Sequence, residues 1–117
     1  MTSYESKVVL VTGGARRIGA EICRQLHARG YDIALHYNRS AEDARALAAE
    51  LNTKREGSCR IFQAELNDGA QCGQLVEDVL AAFDGIKALI NNASAYFPTP
   101  LSEPTDAAWD ELLDTNL

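Results

Sequence analysis

The sequence predicts a doubly wound α/β fold, in which a parallel sheet carries helices on both of its faces. Two observations support this prediction: short apolar runs recur along the chain, and segments with helical spacing of apolar residues separate them. The runs lie about 25 to 30 residues apart, a spacing that favours right-handed crossovers between parallel strands. We expect strands at residues 7–12, 32–37, 59–63 and 87–91, each buried on both faces, in the spatial order 3-2-1-4.

The segments between the runs each place their apolar residues on one stripe of a helix. The stripes are Ile18, Ile22 and Leu26; Ala44, Leu47, Ala48 and Leu51; and Leu75, Val76, Val79, Leu80 and Phe83. We expect these residues to face the sheet. The alternation of runs and stripes predicts a βαβαβαβα order.

Glycines and short polar residues mark the expected ends of the helices. Gly30, Gly57 and Gly85 follow the three stripes, where a left-handed residue would end each helix. Ser40 followed by Asp43 has the spacing of a capping box, so the second helix should begin there.

The composition excludes several classes of protein. The 117-residue chain has 11 lysines and arginines against 17 aspartates and glutamates, a net charge of −6, and 46% of its residues are apolar. Nucleic-acid and anionic-membrane surfaces need clustered basic residues, which this chain lacks. The longest apolar run, Val8 to Val11, is far shorter than a membrane span or a signal-peptide core. We therefore expect a cytoplasmic domain without nucleic-acid or membrane partners.

The cysteines and histidines do not predict a metal site. Cys23, Cys59 and Cys72 are odd in number and form no C-x-x-C pair, so we expect small buried thiols without a disulfide or zinc. His27 falls on a predicted surface helix and His36 inside a strand. Neither has a paired carboxylate nearby in sequence, and we expect structural roles for both.

The segment after the fourth predicted strand carries all three prolines, which predicts a long loop. A last helix is expected to begin near Thr105 or Asp106. Its apolar face would consist of Trp109, Leu112 and Leu113. The chain stops at Leu117 without a helix-termination signal, and the fourth strand would be an edge despite its apolar composition. We therefore expect residues 1–117 to be the N-terminal half of a larger single domain.

A glycine-rich segment from Thr12 to Gly19 follows the first strand and opens the first helix. That context is the one a dinucleotide-binding fingerprint of the Rossmann type requires. Gly13 would permit the tight turn, the helix N-terminus would attract the pyrophosphate, and Gly19 would let the helix pack closely. A merely structural turn is the alternative.

The end of the second strand bears on the choice of dinucleotide. A cofactor without a 2′-phosphate normally calls for an acid about 20 residues past the motif, but residues 36–40 contain none. Arg39 could clamp a 2′-phosphate, with Ser40 and Arg16 nearby. We therefore expect NADPH to be preferred over NADH, the alternative being that Arg39 is a solvated loop residue.

Three motifs in order resemble the short-chain dehydrogenase/reductase family: Thr12-Gly13 with Gly19, then Asn91-Asn92-Ala93, then Asn116. The strings TGGARRIG, HYNRS, NNASAYFPTPL and LLDTNL are similar to the pteridine reductase branch, whose members reduce dihydropterins or folates with NADPH. The resemblance implies a pterin-like small-molecule substrate and, for the full-length protein, a homo-oligomer, a tetramer in the family.

The resemblance also implies roles for individual residues. Arg17 replaces a glycine of general family members and is expected to contact the cofactor phosphates and the pterin. Ser94 would contact both ligands, and Tyr96 would stack on the pterin ring. The alternative is that Tyr96 and Phe97 merely cover the loop.

Glu65 and Leu66 match the family position that contacts the adenine, although an aspartate is usual in place of the longer Glu65. The complete set of expected cofactor contacts is Gly13, Arg16, Arg17, Ile18, Gly19, Tyr37, Asn38, Arg39, Ser40, Glu65, Leu66, Asn92, Ala93 and Ser94. Asn116 matches one of four catalytic residues of the family, where it holds a helix kink and a proton-relaying water.

The proton donor of the family, a tyrosine with a lysine four residues later, has no match among the four tyrosines of this chain. We therefore expect an NADPH-dependent reductase when full length and an inactive piece when residues 1–117 are isolated. The alternatives are a 3-oxoacyl or other ketone reductase of the same family, or a non-catalytic nucleotide-binding module.

Overall fold

A computed structural model describes residues 6–92 of the chain. Strands and helices alternate strictly along these residues, as the apolar pattern predicts. The elements are β1 Val8–Thr12, α1 Arg17–Ala28, β2 Asp32–Tyr37, α2 Ala41–Lys54, β3 Cys59–Gln63, α3 Gly69–Ala82 and β4 Ala88–Asn91. The predicted proline-containing loop and the last helix lie outside the described residues, as do Ala93, Ser94, Tyr96 and Asn116.

The strands form one parallel sheet in the order β3-β2-β1-β4. Leu10 at the centre of β1 pairs with Ala34 of β2 on one side and with Leu89 of β4 on the other. The predicted strand order is confirmed, and so is the doubly wound α/β class. Because β1 lies between β2 and β4, the loop that follows it opens at the middle of the sheet.

Alternation along β1 divides the core into two layers. Val9 and Val11 pack with α1 and α2 on one face, whereas Val8 and Leu10 pack with α3 on the other. Every residue of β1 is buried, as expected for a parallel strand covered on both faces. Helices therefore cover both faces of the sheet, as predicted.

The prediction that every strand is buried on both faces is wrong for β3 and β4. Arg60 and Gln63 of β3 are exposed, and in β4 only Leu89 is fully buried. Both strands are edges of the described sheet, so each lacks a neighbour on one side. The apolar runs predict the edge position of both strands, but not which of their side chains are exposed.

The apolar stripe predicted for α1 is wrong in its orientation. Ile18 is 71% exposed, and the buried residues of the helix include Ala20, Cys23 and His27. The core here is lined by small side chains because α1 packs closely on the sheet, while Ile22 and Leu26 only flank it. The stripe of α2 is confirmed, whereas the α3 stripe shifts toward Cys72 and leaves Leu80 exposed.

The helix ends follow the predictions in part. Gly30 and Gly57 have positive φ angles of 100° and 73°. Gly30 directly follows the C-cap of α1, as expected for a left-handed residue that ends a helix, whereas Gly57 lies in the turn beyond the extended C-cap residue Arg55 of α2. Gly85 does not adopt a positive φ, and α3 ends at Phe83 in extended backbone. The second helix begins directly after Ser40, as predicted, but without the capping box: the Ser40 side chain makes no capping hydrogen bond, and the carboxylate of Asp43 pairs with Arg16 instead.

The three cysteines are buried thiols, as predicted. Burial raises the pKa of Cys23 and of Cys59 to about 12, so both thiols stay protonated at neutral pH. Within residues 6–92 no group of acidic, histidine and cysteine side chains is arranged to hold a metal ion. None of the helices in this part of the chain has the length and hydropathy needed to cross a bilayer.

A buried polar network joins α1, α2 and β3 at the amino edge of the sheet, where β2 and β3 begin. His27 is buried rather than on a free surface, and its Nε2 lies 2.6 Å from Ser58 Oγ. Asn52 Oδ1 accepts hydrogen bonds from the backbone N–H groups of Ser58 and Cys59, and its Nδ2 donates to Cys59 O. Arg55 donates to the carbonyls of His27 and Tyr31. This network closes the turn between α2 and β3.

Candidate active site

A cleft of about 580 Å³ opens at the carboxyl-terminal edge of the sheet. Its walls come from the loop after β1, the end of β2 with the following turn, the segment after β3, and Asn92 after β4. In open α/β sheets, ligands bind outside the carboxyl ends of the strands where the strand order reverses. Here that reversal lies between β1 and β4, so the cleft is the candidate cofactor site.

Most of the predicted cofactor contacts that the structure describes meet in this cleft. The predicted residues that line it are Gly13, Arg16, Arg17, Ile18, Tyr37, Asn38, Arg39, Ser40, Glu65, Leu66 and Asn92. Gly19 lies behind the loop, and Ala93 and Ser94 are outside the described residues. Ala15, His36 and Asn67 also line the cleft, although the sequence did not predict them there.

The glycine-rich loop is shaped by two glycines with different functions. Gly13 has a φ of 61°, which allows the chain to turn sharply after β1. A Cβ atom on Gly19 would overlap with Gly13 O and would lie 2.6 Å from Asn92 Nδ2. Gly19 is therefore required because α1 packs against the loop and against the end of β4.

Asn91 at the end of β4 and Asn92 directly after it form hydrogen bonds with β1 and the glycine-rich loop. Asn92 Nδ2 donates to Gly13 O at 3.0 Å, and the Asn92 backbone N–H donates to Thr12 Oγ1 at 2.9 Å. Thr12 Oγ1 in turn donates to Asn91 Oδ1 at 2.9 Å. These bonds hold β1, the loop and the end of β4 as one unit beneath the cleft.

The two helices that begin at the cleft have no side-chain cap. Arg16 at the start of α1 and Ser40 at the start of α2 make no side-chain hydrogen bond to the helix. In contrast, Asp68 caps α3 by accepting from the N–H groups of Ala70 and Gln71. A helix N-terminus attracts anions, because its first N–H groups lack intrahelical partners and carry the positive end of the helix dipole. The cleft can therefore hold negatively charged groups at two places.

The charges that line the cleft are mostly positive, although the whole chain has a net charge of −6. Among residues 6–92, Arg16, Arg17 and Arg39 line it against one acidic residue, Glu65. Arg16 also forms a salt bridge of 3.4 Å with Asp43, a pair more than half exposed. Positive charges in a cleft of an acidic protein favour an anionic ligand at this place.

Arg17 occupies an unusual backbone conformation, with a φ of 54°. A residue with a Cβ atom is strained there, at a cost of roughly 1–2 kcal/mol, whereas a glycine is not. The strain lies at the first residue of α1, on the wall of the cleft. Strained residues of this kind are concentrated at functional sites.

The far wall of the cleft is a set of polar contacts between β2 and β3. Asn38 Nδ2 donates to Glu65 Oε1 at 2.5 Å, and Gln63 Nε2 donates to Asn38 Oδ1 at 3.1 Å. The backbone N–H of Glu65 donates to Gln71 Oε1 at 2.8 Å. Beside these groups, Leu66 is buried and offers an apolar surface. The flat face of a nucleotide base can pack against Leu66 on this wall.

Of the three cleft residues that the sequence did not predict, His36 makes the most specific contacts. Its Nδ1 lies 3.0 Å from the Gly13 backbone nitrogen and its Nε2 lies 2.8 Å from Ala64 O. Burial lowers the pKa of His36 below its ordinary value, against smaller raising effects from Ala64 O and Glu65. Both partners are more than 20 residues away in sequence, so no local pattern indicates this role.

A family model for short chain dehydrogenases matches residues 7–117. Pteridine reductase 1 of Leishmania tarentolae is 41% identical to this chain, over 86% of the chain and 40% of that protein. The 3-oxoacyl-(acyl-carrier-protein) reductase FabG of Staphylococcus aureus is 35% identical, over 96% of the chain and 45% of that protein. An NADP-dependent mannitol dehydrogenase of Alternaria alternata is 34% identical, over 98% of the chain and 44% of that protein.

The chain thus spans less than half of the length of each of these relatives. The relatives differ in the substrates that their names state, but they share the reductase or dehydrogenase type. The matched region includes the sheet, the glycine-rich loop and the cleft. The family match over almost the whole chain, together with this fold and site, shows that the protein belongs to the short-chain dehydrogenase family.

Proposed function

We propose that the protein is an NADPH-dependent oxidoreductase that holds the cofactor in the cleft and reduces a dihydropterin or a dihydrofolate. The observation that carries the cofactor assignment is the pair of uncapped helix starts beside the cleft arginines. A dinucleotide with a 2′-phosphate carries anions at two separate places, which this pair could hold.

The start of α1 fits the pyrophosphate. The glycine-rich loop brings backbone N–H groups to the cleft, and the Gly13 turn leaves no side chain in the way. Arg17 adds a guanidinium on the same wall. This combination of backbone donors and one cation is suited to a doubly charged group.

The start of α2 fits a 2′-phosphate. Arg39 and Ser40 line the cleft there, and neither is an acid that would accept hydrogen bonds from ribose hydroxyls. Arg16 faces the same region but is paired with Asp43, so it would have to divide its charge between that carboxylate and the phosphate. Arg39 is therefore the residue expected to discriminate most between NADPH and NADH.

The adenine would lie on the far wall, against Leu66 and beside the Asn38–Glu65 pair. Bound NADPH would supply a hydride, and the protein must orient the cofactor and deliver a proton. The described residues provide orientation. Ser94, Tyr96 and Asn116 remain predictions for the substrate side, since they lie outside the described residues.

The substrate assignment rests on the resemblance of Arg17 and the YFPTP segment to pteridine reductases, and the 41% identity to one of them supports it. The second candidate is reduction of a 3-oxoacyl thioester or another ketone, which the similarity to FabG favours. A cytoplasmic location and a homo-oligomeric, tetrameric full-length protein are part of the same proposal, and residues 1–117 alone are expected to be inactive.

The cofactor assignment is tested by the Arg39→Ala variant of the intact protein. Loss of a charge-assisted contact of roughly 1.5–3 kcal/mol should weaken NADPH at least about tenfold while NADH binding stays nearly unchanged. Arg45→Ala is the matched control, because Arg45 is an exposed arginine of α2 that does not line the cleft. Fluorescence titration of both cofactors gives the affinities, and an equal loss for both would refute the 2′-phosphate role.

The substrate assignment is tested by turnover with a dihydropterin, a dihydrofolate and an acetoacetyl thioester. We expect NADPH oxidation with the first two, and we expect Tyr96→Ala to raise the KM for the pterin far more than the Kd for NADPH. Turnover with the thioester alone would replace the pterin proposal with the ketone reductase.

A further inference from the structure

The imidazole of His36 connects two parts of the cleft wall that are distant in sequence. The ring is 2% exposed and lies between the glycine-rich loop and the segment after β3. The Gly13 N–H can only donate a hydrogen bond, and Ala64 O can only accept one. Nδ1 must therefore be unprotonated and Nε2 must carry the hydrogen, which makes His36 a neutral imidazole in this arrangement.

The backbone of the same residue holds the loop a second time. The carbonyl oxygen of His36 accepts a hydrogen bond of 3.0 Å from the Gly14 N–H. His36 thus binds the N–H groups of two consecutive loop residues, one through its ring and one through its backbone. From the opposite side, Asn92 Nδ2 binds Gly13 O. The Gly13–Gly14 peptide is thus held at its N–H by the His36 carbonyl and at its carbonyl by Asn92, while the His36 ring holds the N–H of the peptide before it.

We propose that His36 is a positioning residue for the dinucleotide, and that only its neutral form keeps the glycine-rich loop in the shape that binds the cofactor. This inference rests on the proposed function, because it treats the cleft as the cofactor site. His36 acts through Gly13 and not by chemistry on the substrate. A proton on Nδ1 would place two donors against each other and break the bond to Gly13.

The surroundings of the ring determine at which pH this happens. Strand β1 has no titratable side chain, and α3 on the same face of the sheet contributes the buried thiol of Cys72. After β3, the carboxylate of Glu65 favours the protonated ring, but burial opposes it more strongly, so the pKa of His36 lies below its ordinary 6.5. Arg17 and Arg39, which line the same cleft, are cations and do not favour a second positive charge.

Protonation of His36 should weaken cofactor binding as the pH falls. At neutral pH the ring is uncharged and the loop is in its binding shape. As the pH falls below 6.5 toward the lowered pKa, protonation competes with cofactor binding. We expect the affinity for the dinucleotide to fall roughly tenfold on acidification, the factor that corresponds to one lost hydrogen bond.

The test measures dinucleotide affinity of the intact protein by calorimetry between about pH 5 and 8, the range in which histidines titrate. The oxidised forms NADP⁺ and NAD⁺ are the probes, because the reduced forms decompose in acid. NAD⁺ is essential because it lacks the 2′-phosphate, which itself titrates in this range. A pH-dependent affinity for NAD⁺ therefore reports on the protein.

Two substitutions at His36 separate its two hydrogen bonds. In His36→Asn, the amide oxygen replaces Nδ1 as the acceptor for Gly13, so this variant should recover most of the neutral-pH affinity and lose the pH dependence. His36→Gln reaches toward Ala64 but leaves the Gly13 N–H without its acceptor, and it should bind about tenfold more weakly at every pH. His27→Asn, at the opposite edge of the sheet, is the control and should bind NAD⁺ as the unmodified protein does.

A second measurement needs no cofactor and keeps the inference distinct from the proposed function. Nitrogen NMR of the His36 ring should show hydrogen on Nε2 at neutral pH, and hydrogen-exchange protection of the Gly13 amide should be lost as the ring protonates. Failure of the unmodified protein to bind either dinucleotide would refute the proposed function. A pH profile of His36→Asn equal to that of the unmodified protein, or Gly13 protection that is independent of the ring, would overturn the role of His36.

Discussion

The two edges of the sheet each hold a buried histidine, but they use it differently. At the amino edge, His27 bonds Ser58 beside the Asn52 contacts, and the polar groups of the turn are paired within the protein. At the carboxyl edge, His36 bonds Gly13 beside helices that begin without a side-chain cap. Burial lowers the pKa of both rings. Burial thus favours the neutral imidazole at either edge, whereas the neighbouring helix ends decide whether an anionic ligand can bind.

The difference has a geometric cause. In a parallel sheet every strand ends where the following helix begins, so helix N-termini collect at the carboxyl edge and helix C-termini at the amino edge. N-termini offer free N–H groups to an anion. The carbonyls at the amino edge are instead satisfied by donors such as Arg55 and Asn52. Substitutions at matched positions can test this division of roles.

The largest effect on stability and binding is expected from replacing a glycine at the carboxyl edge, and the matched substitution is at a glycine of the amino edge. Gly19→Ala makes a Cβ atom overlap with Gly13 O, and it should destabilise the fold by about 3 kcal/mol or more and abolish cofactor binding. Gly57 at the amino edge has a positive φ, but a Cβ atom added there would point into open space. Gly57→Ala should cost only about 1–2 kcal/mol and leave binding intact.

Urea unfolding and NADPH titration of both glycine variants measure these effects. Equal destabilisation by the two substitutions would show that the close packing of α1 on the loop does not require a glycine at position 19.

Loss of the Asn52 side chain should be the next largest effect. Asn52→Ala leaves the N–H groups of Ser58 and Cys59 and the carbonyl of Cys59 without their side-chain partner. We expect a loss of about 2–3 kcal/mol in the free energy of unfolding. Asn52→Asp keeps the acceptor and should lose less. A change in NADPH affinity in either variant would contradict the separation of the two edges.

Both buried histidines should contribute to the pH dependence of the free energy of unfolding. Burial, then Arg55, lowers the pKa of His27 below 6.5, so the unfolded chain takes up a proton before the folded one does. The contribution of each histidine to the free energy of unfolding is fully present above pH 6.5. It decreases as the pH drops toward the lowered pKa, by up to about 1.4 kcal/mol per pH unit for each histidine. His27→Gln should flatten this slope.

The same His27→Gln variant should keep the pH profile of NAD⁺ binding unchanged. Thermal unfolding across the pH range, together with calorimetry, gives both quantities. If NAD⁺ affinity depended less on pH in this variant, the two histidines would be coupled through the sheet.

The smallest effect concerns the strained residue of the cleft and has the opposite sign. Arg17→Gly removes the strain of a side chain at a φ of 54°. Glycine also makes the unfolded chain more flexible, so the net stabilisation should be at most about 1 kcal/mol. Arg16→Gly is the control, because Arg16 has an ordinary extended φ of −139°. Denaturant midpoints that move equally for both variants would show that Arg17 is not strained.

Much of the fold follows from local patterns in the chain. Apolar runs and stripes predict the positions and the order of β1 to β4 and of the helices between them, and the spacing predicts parallel pairing. The glycine-rich segment after β1 indicates the position of the cleft, because a turn that needs Gly13 is a property of a few adjacent residues. Such features need no knowledge of distant contacts.

Tertiary packing decided the features that depend on residues far apart. Periodicity shows that α1 has an apolar stripe, but the close approach to the sheet selects Ala20 and Cys23 for the core and leaves Ile18 exposed. Likewise, the sequence predicts the edge position of β3 but not that Arg60 and Gln63 of this strand are exposed. The role of His36 depends on partners 23 and 28 residues away. A hydrogen bond between distant residues exists only once the strands are aligned, so no segment of the chain can specify it alone.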